Sequence, residues 1–279
     1  MILIADAGST KTHWKIAGTL GQPFVSDGIN PMIHNDEEIL SVVESQVSSE
    51  FMKSGTISKV FFYGAGCANT EINSRLAATI QRCFPDAEIH VASDMLGAAR
   101  AMFRKDIGIA CILGTGSNSC FYNGQTIEMQ VPSLGYIIGD EGSGNHIGKS
   151  LLKAYLRNTM PEKLKDLFRS SFQITDADFL KNVYKGQSPN AYLASFASFA
   201  FNHHDNPFVS TLLNEVFQAF VEQSILKYPN CRLIQVGFTG SVAYFQQQRI
   251  KQICHSYGLS LAEFLHFPID GLAEYHAEK

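Results

Sequence analysis

The fold is decided by ILIADAGSTKTHWKI (residues 2–16) and IACILGTGSNSCFY (residues 109–122). Each segment starts with an apolar run, passes through a turn rich in glycine and hydroxyl residues, and continues into a second strand-like stretch. This pattern predicts a β-hairpin at the start of each half of the chain. The two hairpins form a weak internal repeat, so we expect two related domains.

Strand-like and helix-like segments alternate along the rest of the chain. KVFFYGAG (59–66) and EIHVASD (88–94) are short apolar runs that predict strands. Helical periodicity is present in residues 36–53, 70–83 and 95–103, and Asp36 is the expected cap of the first of these helices. The Asp-Gly pair in FVSDGIN indicates a turn. Such alternation predicts an α/β protein, and the hairpins predict mixed sheets. Residues 161–228 are mostly helical in pattern and carry no motif that indicates chemistry.

The composition excludes several classes of protein. The chain has 279 residues, 45% of them hydrophobic, and a formal net charge of -4. This charge does not favour binding to nucleic acid, whose phosphates attract basic surfaces. The apolar stretch at the N-terminus has about five residues, and a membrane helix needs about 20. We therefore expect an intracellular, cytoplasmic protein without a membrane segment.

Two turns have the composition of phosphate-binding loops. Asp6 ends a strand and precedes a turn with Gly8 and hydroxyl residues, where a carboxylate suits Mg²⁺ and backbone N–H groups can reach phosphate oxygens. The turn Gly114–Ser119 combines two glycines with three hydroxyls after a buried strand. Either turn alone could be an ordinary solvent-exposed loop. Together, in matching contexts, they predict that a polyphosphate is gripped from two sides.

A third glycine turn and three polar residues remain open to two interpretations each. The turn in GFTGSVA (237–243) is either a nucleoside site at a helix start or a plain strand-to-helix turn. Asp94 either caps the helix that follows it or acts as a general base. Asp140, beside Glu141 among glycines, either faces a ligand or belongs to a solvated loop that caps the next helix. Asn30 either contacts sugar hydroxyls or stabilises a turn before proline.

In order along the chain, these segments resemble the N-acetylglucosamine kinase family. The most specific pieces are DAGSTKT, ASDMLGAARA, LGTGSNS and LGYIIGDEGSGNHIGK, and the resemblance spans nearly the whole chain. The family shares its ATPase module with the activators of 2-hydroxyacyl-CoA dehydratases. Both belong to the superfamily of sugar kinases, actin and heat-shock chaperones.

The resemblance implies a particular architecture. It consists of two ribonuclease-H-like α/β domains with mixed sheets around a central cleft. Residues 1–105 would form the first domain, onto which a C-terminal helix at about 268–279 packs back. Residues 106–267 would form the second domain, with a helical insertion.

The resemblance also implies a role for each motif residue. ATP would be bound with Mg²⁺, which Asp6 would help to hold, and Asp94 would be the catalytic base. The implied nucleotide contacts are Gly8, Ser9, Thr10, Lys11, Gly114, Thr115, Gly116, Gly240 and Ser241. The implied sugar contacts are Asn30, Asp94, Ser133, Gly135 and Asp140. One departure is Ala7, which stands where the family commonly has glycine.

The activity implied is phosphorylation of an amino sugar, with N-acetylglucosamine and its 6-hydroxyl as the expected acceptor. The expected partner is this small molecule, and the resemblance allows a homodimer without deciding it. One alternative is a dehydratase activator that carries an iron–sulfur cluster, for which Cys67 is the one cysteine in a glycine-rich turn. Another is a sugar-binding protein without turnover. A sugar-responsive DNA-binding regulator is disfavoured, because the chain starts at the first phosphate strand.

Overall fold

The computed structural model divides the chain into two compact units. One comprises Met1–Ile107, Tyr122–Ile127 and Phe267–Lys279, and the other comprises Gly108–Phe121 and Glu128–His266. The residues that the structure describes are 1–8, 10–51, 55–67, 69–173, 175–186 and 188–278.

The first unit is built on one five-stranded sheet, with strand order β3-β2-β1-β4-β5. β1 pairs antiparallel with β2 and parallel with β4, so the sheet is mixed as predicted. The elements are β1 (Ile2–Ala7), β2 (Lys11–Ile16), β3 (Phe24–Asp27), α1 (Asp36–Val42), a π-helical segment (Val43–Ser48), α2 (Ser49–Phe51), β4 (Lys59–Gly64), α3 (Thr70–Gln81), β5 (Glu88–Ser93) and α4 (Asp94–Phe103). The C-terminal helix (Ile269–Ala277) belongs to the same unit and contacts α4 and β1.

The second unit has a five-stranded sheet of order β10-β9-β6-β7-β8. Read from the opposite edge, this order matches that of the first sheet. Its strands are β6 (Gly108–Leu113), β7 (Ser117–Tyr122), β8 (Ile127–Gln130), β9 (Gln235–Thr239) and β10 (Ser260–Leu265). Its helices are α5 (Gly135–Ile138), α6 (Gly144–Leu156), α7 (Glu162–Phe172), α8 (Asp176–Lys185), α9 (Pro189–Ser195), α10 (Ala197–Asn202), α11 (Pro207–Gln223), α12 (Ser241–Phe245) and α13 (Gln247–Ser256), and α14 is the C-terminal helix of the first unit. Two short 3₁₀ turns lie at Ile225–Lys227 and Cys231–Leu233. The predicted α/β class is confirmed, and the two halves contain mixed sheets of the same strand order.

Both sheets end in a strand that the sequence pattern did not reveal. β3 has only four residues and lies at an edge, where an Asp-Gly pair had indicated a turn. β10 pairs parallel with β9, but its register shifts between Leu261 and Phe264. A shift of this kind breaks the period of two by which strands are recognised.

The start of α1 corrects one detail of the sequence interpretation. Asp36 was expected to cap this helix, but the cap is Asn35. Its side chain accepts a hydrogen bond from the Glu38 N–H at 3.0 Å, and the Glu38 carboxylate accepts one from the Asn35 N–H at 2.9 Å. This reciprocal pair is a capping box.

The segment 161–228, predicted to be helical, forms most of the helical layer of the second unit. Its apolar side chains join the core of that unit through a cluster of aromatic rings. The cluster contains Tyr155, Phe168, Phe172, Phe179, Phe196 and Phe199. Burial of such large rings is a major source of stability, because the stabilisation scales with the apolar area removed from water. None of the described helices has the length and hydrophobicity that crossing a bilayer requires.

We predict that Gly148→Ala destabilises the protein although alanine is the better helix former. A Cβ at Gly148 in α6 would lie 1.8 Å from the Leu193 carbonyl oxygen of α9, so the two helices would have to separate. Overpacking against backbone should lower the free energy of unfolding by about 3 kcal/mol, against a gain of about 1 kcal/mol from helix propensity. Urea denaturation measures the difference.

The control is Lys153→Ala, on the exposed side of the same helix. This variant should unfold within about 0.5 kcal/mol of wild type, as surface substitutions usually do. Equal stability of Gly148→Ala and wild type would show that α6 and α9 do not approach each other this closely.

Candidate functional site

Two carboxylates lie at the carboxyl edge of the first sheet. Asp6 is near the end of β1, and Asp94 directly follows β5. β4 lies between these two parallel strands, which places the carboxylates roughly 10 Å apart, two strand spacings. The middle strand ends at Gly64, where a Cβ would lie 2.6 Å from the Phe62 ring and 3.2 Å from the Cys67 sulfur.

Asp6 is held in an electrostatically unfavourable position. Burial, reinforced by the negative charge of Asp94, raises the pKa of Asp6 to about 7. Among the residues that the structure describes, none donates a hydrogen bond or a salt bridge to this carboxylate. A half-buried carboxylate of this kind fits a divalent cation, because Mg²⁺ is usually held by one or two carboxylates together with phosphates and water. The described residues contain no cluster of three or more His, Cys, Asp or Glu that could hold a metal without such outside ligands.

Asp94 has its position fixed by the start of α4. The cap of this helix is Ser93, whose hydroxyl accepts a hydrogen bond from the Leu96 N–H at 3.2 Å. Asp94 is the first residue of the helix, and its Oδ1 accepts a hydrogen bond from the Met95 N–H at 2.8 Å. Burial raises the pKa of Asp94, and the bond from Met95 partly opposes that shift. Because Ser93 caps the helix, capping does not account for Asp94.

The first glycine turn connects β1 and β2. The Gly8 N–H donates to the Lys11 carbonyl at 2.9 Å, and the Gly28 N–H donates to the Thr10 carbonyl at 3.1 Å. Thr12 is fully buried, and its hydroxyl accepts a hydrogen bond from the Ile29 N–H at 3.1 Å. These bonds tie the turn to the loop that carries Asn30. The predicted contact Ser9 lies outside the described residues.

Asn30 is 7% exposed and its orientation is fixed. Its Oδ1 accepts a hydrogen bond from the Met32 N–H at 2.9 Å. A Cβ at Gly66 would lie 2.3 Å from this oxygen, and Gly66 has φ of +85°. Only glycine meets both requirements, so Gly66 positions Asn30. The GAG sequence after β4 was a signal for this role, but it was interpreted only as a strand end.

In the second unit, three segments meet at the end of β6. The Gly114 N–H donates to the Gly116 carbonyl at 3.0 Å, which closes the second glycine turn. The Gly144 N–H at the start of α6 donates to the Gly114 carbonyl at 2.9 Å. Gly240 has φ of +100°, and a Cβ there would lie 2.4 Å from the Leu113 carbonyl oxygen. The structure thus brings together the second and third glycine turns. Ser241 starts α12 directly after Gly240 and is exposed.

Asp140 is packed against the second glycine turn. It is 8% exposed, and its φ of +59° is uncommon for a residue with a side chain. Its carboxylate accepts hydrogen bonds from the Ser117 N–H at 3.3 Å and from the Asn145 side-chain amide at 3.0 Å. A Cβ at Gly116 would lie 2.9 Å from the same carboxylate. The alternative of a solvated acidic loop is therefore wrong for Asp140.

Ser143, and not Asp140, caps helix α6. The predicted contacts Ser133 and Gly135 lie just before and at the start of α5, at the surface of the second unit. The Ser133 hydroxyl donates to the Ser117 carbonyl at 3.3 Å, so this segment is also tied to β7.

A cavity of about 800 Å³ lies beside α12 in the second unit. Its lining combines two phenylalanines with amide and hydroxyl side chains, one histidine and one arginine. It is formed by Ser198, Phe201, Asn202, His204, Ser210, Asn214, Phe245, Gln246, Gln248, Arg249 and Gln252. Phe245 is 60% exposed, which is high for a phenylalanine next to a cavity. Sequence reasoning did not identify this cavity, because its lining comes from four helices and no contiguous motif.

The comparisons with known proteins bear on this geometry. The chain is 40% identical to a protein of Porphyromonas gingivalis described as an N-acetylglucosamine kinase, whose crystal structure matches with a TM-score of 0.95 over 100% of this chain and 99% of that one. It is 30% identical to an N-acetylmuramic acid/N-acetylglucosamine kinase of Clostridium acetobutylicum. That match spans 160 residues, or 55% of this chain and 52% of the enzyme, so it covers about half the length of that relative. No family model matches the chain.

A more distant structure shows the same fold. A ROK-family glucokinase of Streptomyces griseus, solved with glucose and AMPPNP, matches with a TM-score of 0.62 at 14% identity. The match covers 99% of this chain and 97% of that one.

We predict that Asp6→Asn stabilises the protein at high pH in the absence of metal and nucleotide. The folded-state pKa of Asp6, about 7, lies above the ordinary value of 3.8. The contribution of the Asp6 carboxyl group to the free energy of unfolding is therefore fully present below about pH 4 and is lost as the pH rises through 7. Asparagine does not ionise, so the variant should exceed wild type by about 1 to 3 kcal/mol at pH 8.

Denaturation in EDTA at pH 5 to 8 measures this difference, which should grow with pH. The matched control is Asp86→Asn, an exposed aspartate of the same unit, for which no pH-dependent gain is expected. A gain for Asp6→Asn that is constant over this range would contradict the assignment.

Proposed function

Because this chain belongs to the N-acetylglucosamine kinase family, we propose that it transfers the γ-phosphoryl group of ATP to the 6-hydroxyl of N-acetylglucosamine. The observation that carries the proposal is the pair of buried carboxylates, Asp6 and Asp94, at one edge of the first sheet. Phosphoryl transfer needs little beyond positioning, neutralisation of charge and a base for the acceptor hydroxyl. Asp94 would supply the base, and Asp6 would help to hold the cation that neutralises the phosphate charge.

Asp94 is the proposed base. Its Oδ1 is engaged by the Met95 N–H, which fixes the carboxylate plane and leaves the second oxygen to accept a proton from the sugar hydroxyl. Burial raises the proton affinity of this carboxylate above that of an exposed aspartate. A base with a raised pKa is better matched to neutral pH than an ordinary aspartate.

Asp6 is the proposed Mg²⁺ residue. A bound cation would neutralise phosphate charge, and it would also favour the ionised form of Asp6, which burial and then the charge of Asp94 disfavour. Gly8, Thr10 and Lys11 in the first turn are proposed to face the phosphates, together with Gly114, Thr115 and Gly116 in the second. Gly114 supports this assignment, because a Cβ there would have no heavy atom within 4 Å and the turn is open on that side.

Asn30 in the first unit and Ser133, Gly135 and Asp140 in the second are the proposed sugar contacts. Asn30 and Asp140 are both buried and fixed by backbone N–H donors. Rigid polar groups of this kind favour binding, because little entropy is lost when the ligand binds.

The cavity beside α12 is the proposed site of adenosine. Gly240 and Ser241 lead into α12, and Phe245 ends that helix at the cavity. An exposed aromatic ring next to amide side chains suits a purine, which can stack and accept hydrogen bonds.

The test of the function is sugar-dependent release of ADP. We expect turnover with N-acetylglucosamine, and less with glucosamine, N-acetylmannosamine or glucose, with phosphorus NMR locating the phosphate on the 6-oxygen. Sugar binding without any ADP release would refute the kinase proposal. The dehydratase-activator alternative receives no support from Cys67, because this thiol is 3% exposed and a cluster shared between two subunits needs cysteines at the surface.

We predict that Asp94→Asn lowers kcat by about 10² to 10⁴-fold, the usual contribution of a general base. The amide is isosteric and cannot accept the proton, so the KM for ATP should change little. The control is again Asp86→Asn, which should keep wild-type activity. Turnover of Asp94→Asn at the wild-type rate would remove Asp94 from this role.

We predict that Phe245→Ala raises the KM for ATP by about tenfold, since stacking of a base on an aromatic ring contributes about 1 to 3 kcal/mol. The KM for the sugar should stay within about twofold, because the substitution removes one nucleotide contact. Tyr184→Ala, another exposed aromatic residue of the second unit, is the control. An equal rise of both KM values would contradict the assignment of the cavity to adenosine.

A further inference from the structure

The segment 133–140 carries three of the proposed sugar contacts, and Tyr136 is its one side chain that packs against the apolar core of the second unit. Its helix α5 has one turn, no side-chain cap and no buried residue. The side chains of Leu134, Ile137 and Ile138 are 57%, 73% and 72% exposed. Burial of apolar surface, which orders most loops in proteins, is therefore limited here to Tyr136. Polar contacts supply the other attachments of this segment.

Lys149 supplies the central polar contact. It lies in α6, and its ammonium group donates to the Tyr136 carbonyl at 2.6 Å and to the Gly139 carbonyl at 3.3 Å. The last carbonyls of a helix have no partner within the helix, so one side chain satisfies two groups at the end of α5. Hydrogen bonds with a charged donor are about twice as strong as neutral ones.

The contacts of Lys149 fall between two weaker attachments of the same segment. Ser133 is bonded to the Ser117 carbonyl at one end, and Asp140 is bonded to the Ser117 N–H at the other. Burial lowers the pKa of Lys149, and the charges of Asp140 and Glu141 partly oppose that shift. Lys149 thus holds the middle of a loop whose ends are tied to β7.

We propose that Lys149 is a positioning residue for the sugar, acting through the backbone of residues 133–140. Its charge holds the Gly135 and Asp140 contacts at a fixed separation before the sugar binds. The kinetic consequence rests on the proposed function, whereas the ordering of the loop does not. Loss of the ammonium group should weaken binding of the sugar more than binding of ATP. The described contacts of Lys149 include none of the proposed nucleotide residues.

The experiment compares Lys149→Met with Lys149→Arg. Methionine keeps an unbranched stem of similar length but leaves two carbonyls without a donor, whereas arginine keeps the charge. For Lys149→Met we expect the sugar KM to rise about tenfold or more and the ATP KM to stay within about twofold. Lys149→Arg should restore the sugar KM to within about threefold of wild type. Lys153→Met, one turn further along α6 and exposed, is the matched control.

A second measurement does not depend on catalysis. Amide hydrogen exchange in a peptide that spans 134–140 should be at least about tenfold faster in Lys149→Met than in wild type or Lys153→Met. Unchanged exchange, or an equal rise of the sugar and ATP KM values, would overturn the proposal. If the wild-type protein has no kinase activity, the proposed function fails, and the exchange result still decides the role of Lys149. Should Lys149→Met not fold, Lys149→Gln provides the same two measurements.

Discussion

Burial of two carboxylates at one sheet edge is the constraint on which the candidate site of the first unit depends. Asp6 and Asp94 lie at the carboxyl ends of strands that flank β4, and each has a raised pKa because water is partly excluded. Such an arrangement costs free energy in the empty protein. It persists because the sheet fixes β1 and β5 through β4, and because α4 is capped by Ser93 and does not need Asp94 for its start. The backbone holds the charges in place, and a bound cation is what would make the arrangement favourable.

The hairpins, the long helices and the α/β class could be predicted from the sequence because each has a local signal. Apolar runs that end in glycine and hydroxyl residues marked the two turns, and a period of 3.6 marked α3 and α4. The pairing of the second and third glycine turns was not predictable, since it depends on the contact between Gly240 and the Leu113 carbonyl. A contact between residues that are distant in the chain leaves only a glycine as its signal in the sequence. Glycine occurs for many other structural reasons, so this signal does not predict the contact.

The candidate site shows the same division. Asp6, Asp94, Asn30 and Asp140 could be proposed from the sequence because carboxylates and amides among glycines are chemically conspicuous. The residues that position these side chains were missed. One acts by having no side chain, and the other acts through a hydrogen bond with the backbone. Gly66 leaves room for the Asn30 amide, and Ser93 relieves Asp94 of capping. The cavity beside α12 was missed for a third reason, because its lining is collected from helices far apart in the chain.

The repeated hairpin makes it possible to compare two copies of one backbone position by position. β1 and β6 each have six residues, as do β2 and β7, and three residues join each pair. In this alignment Gly8 corresponds to Gly114, whereas Asp6 corresponds to Ile112. A carboxylate and a hydrocarbon thus occupy equivalent places, and the architecture itself demands neither. Descent from a duplicated ancestor would explain the shared glycine, and later divergence of the copies would explain why only one of them carries an acid.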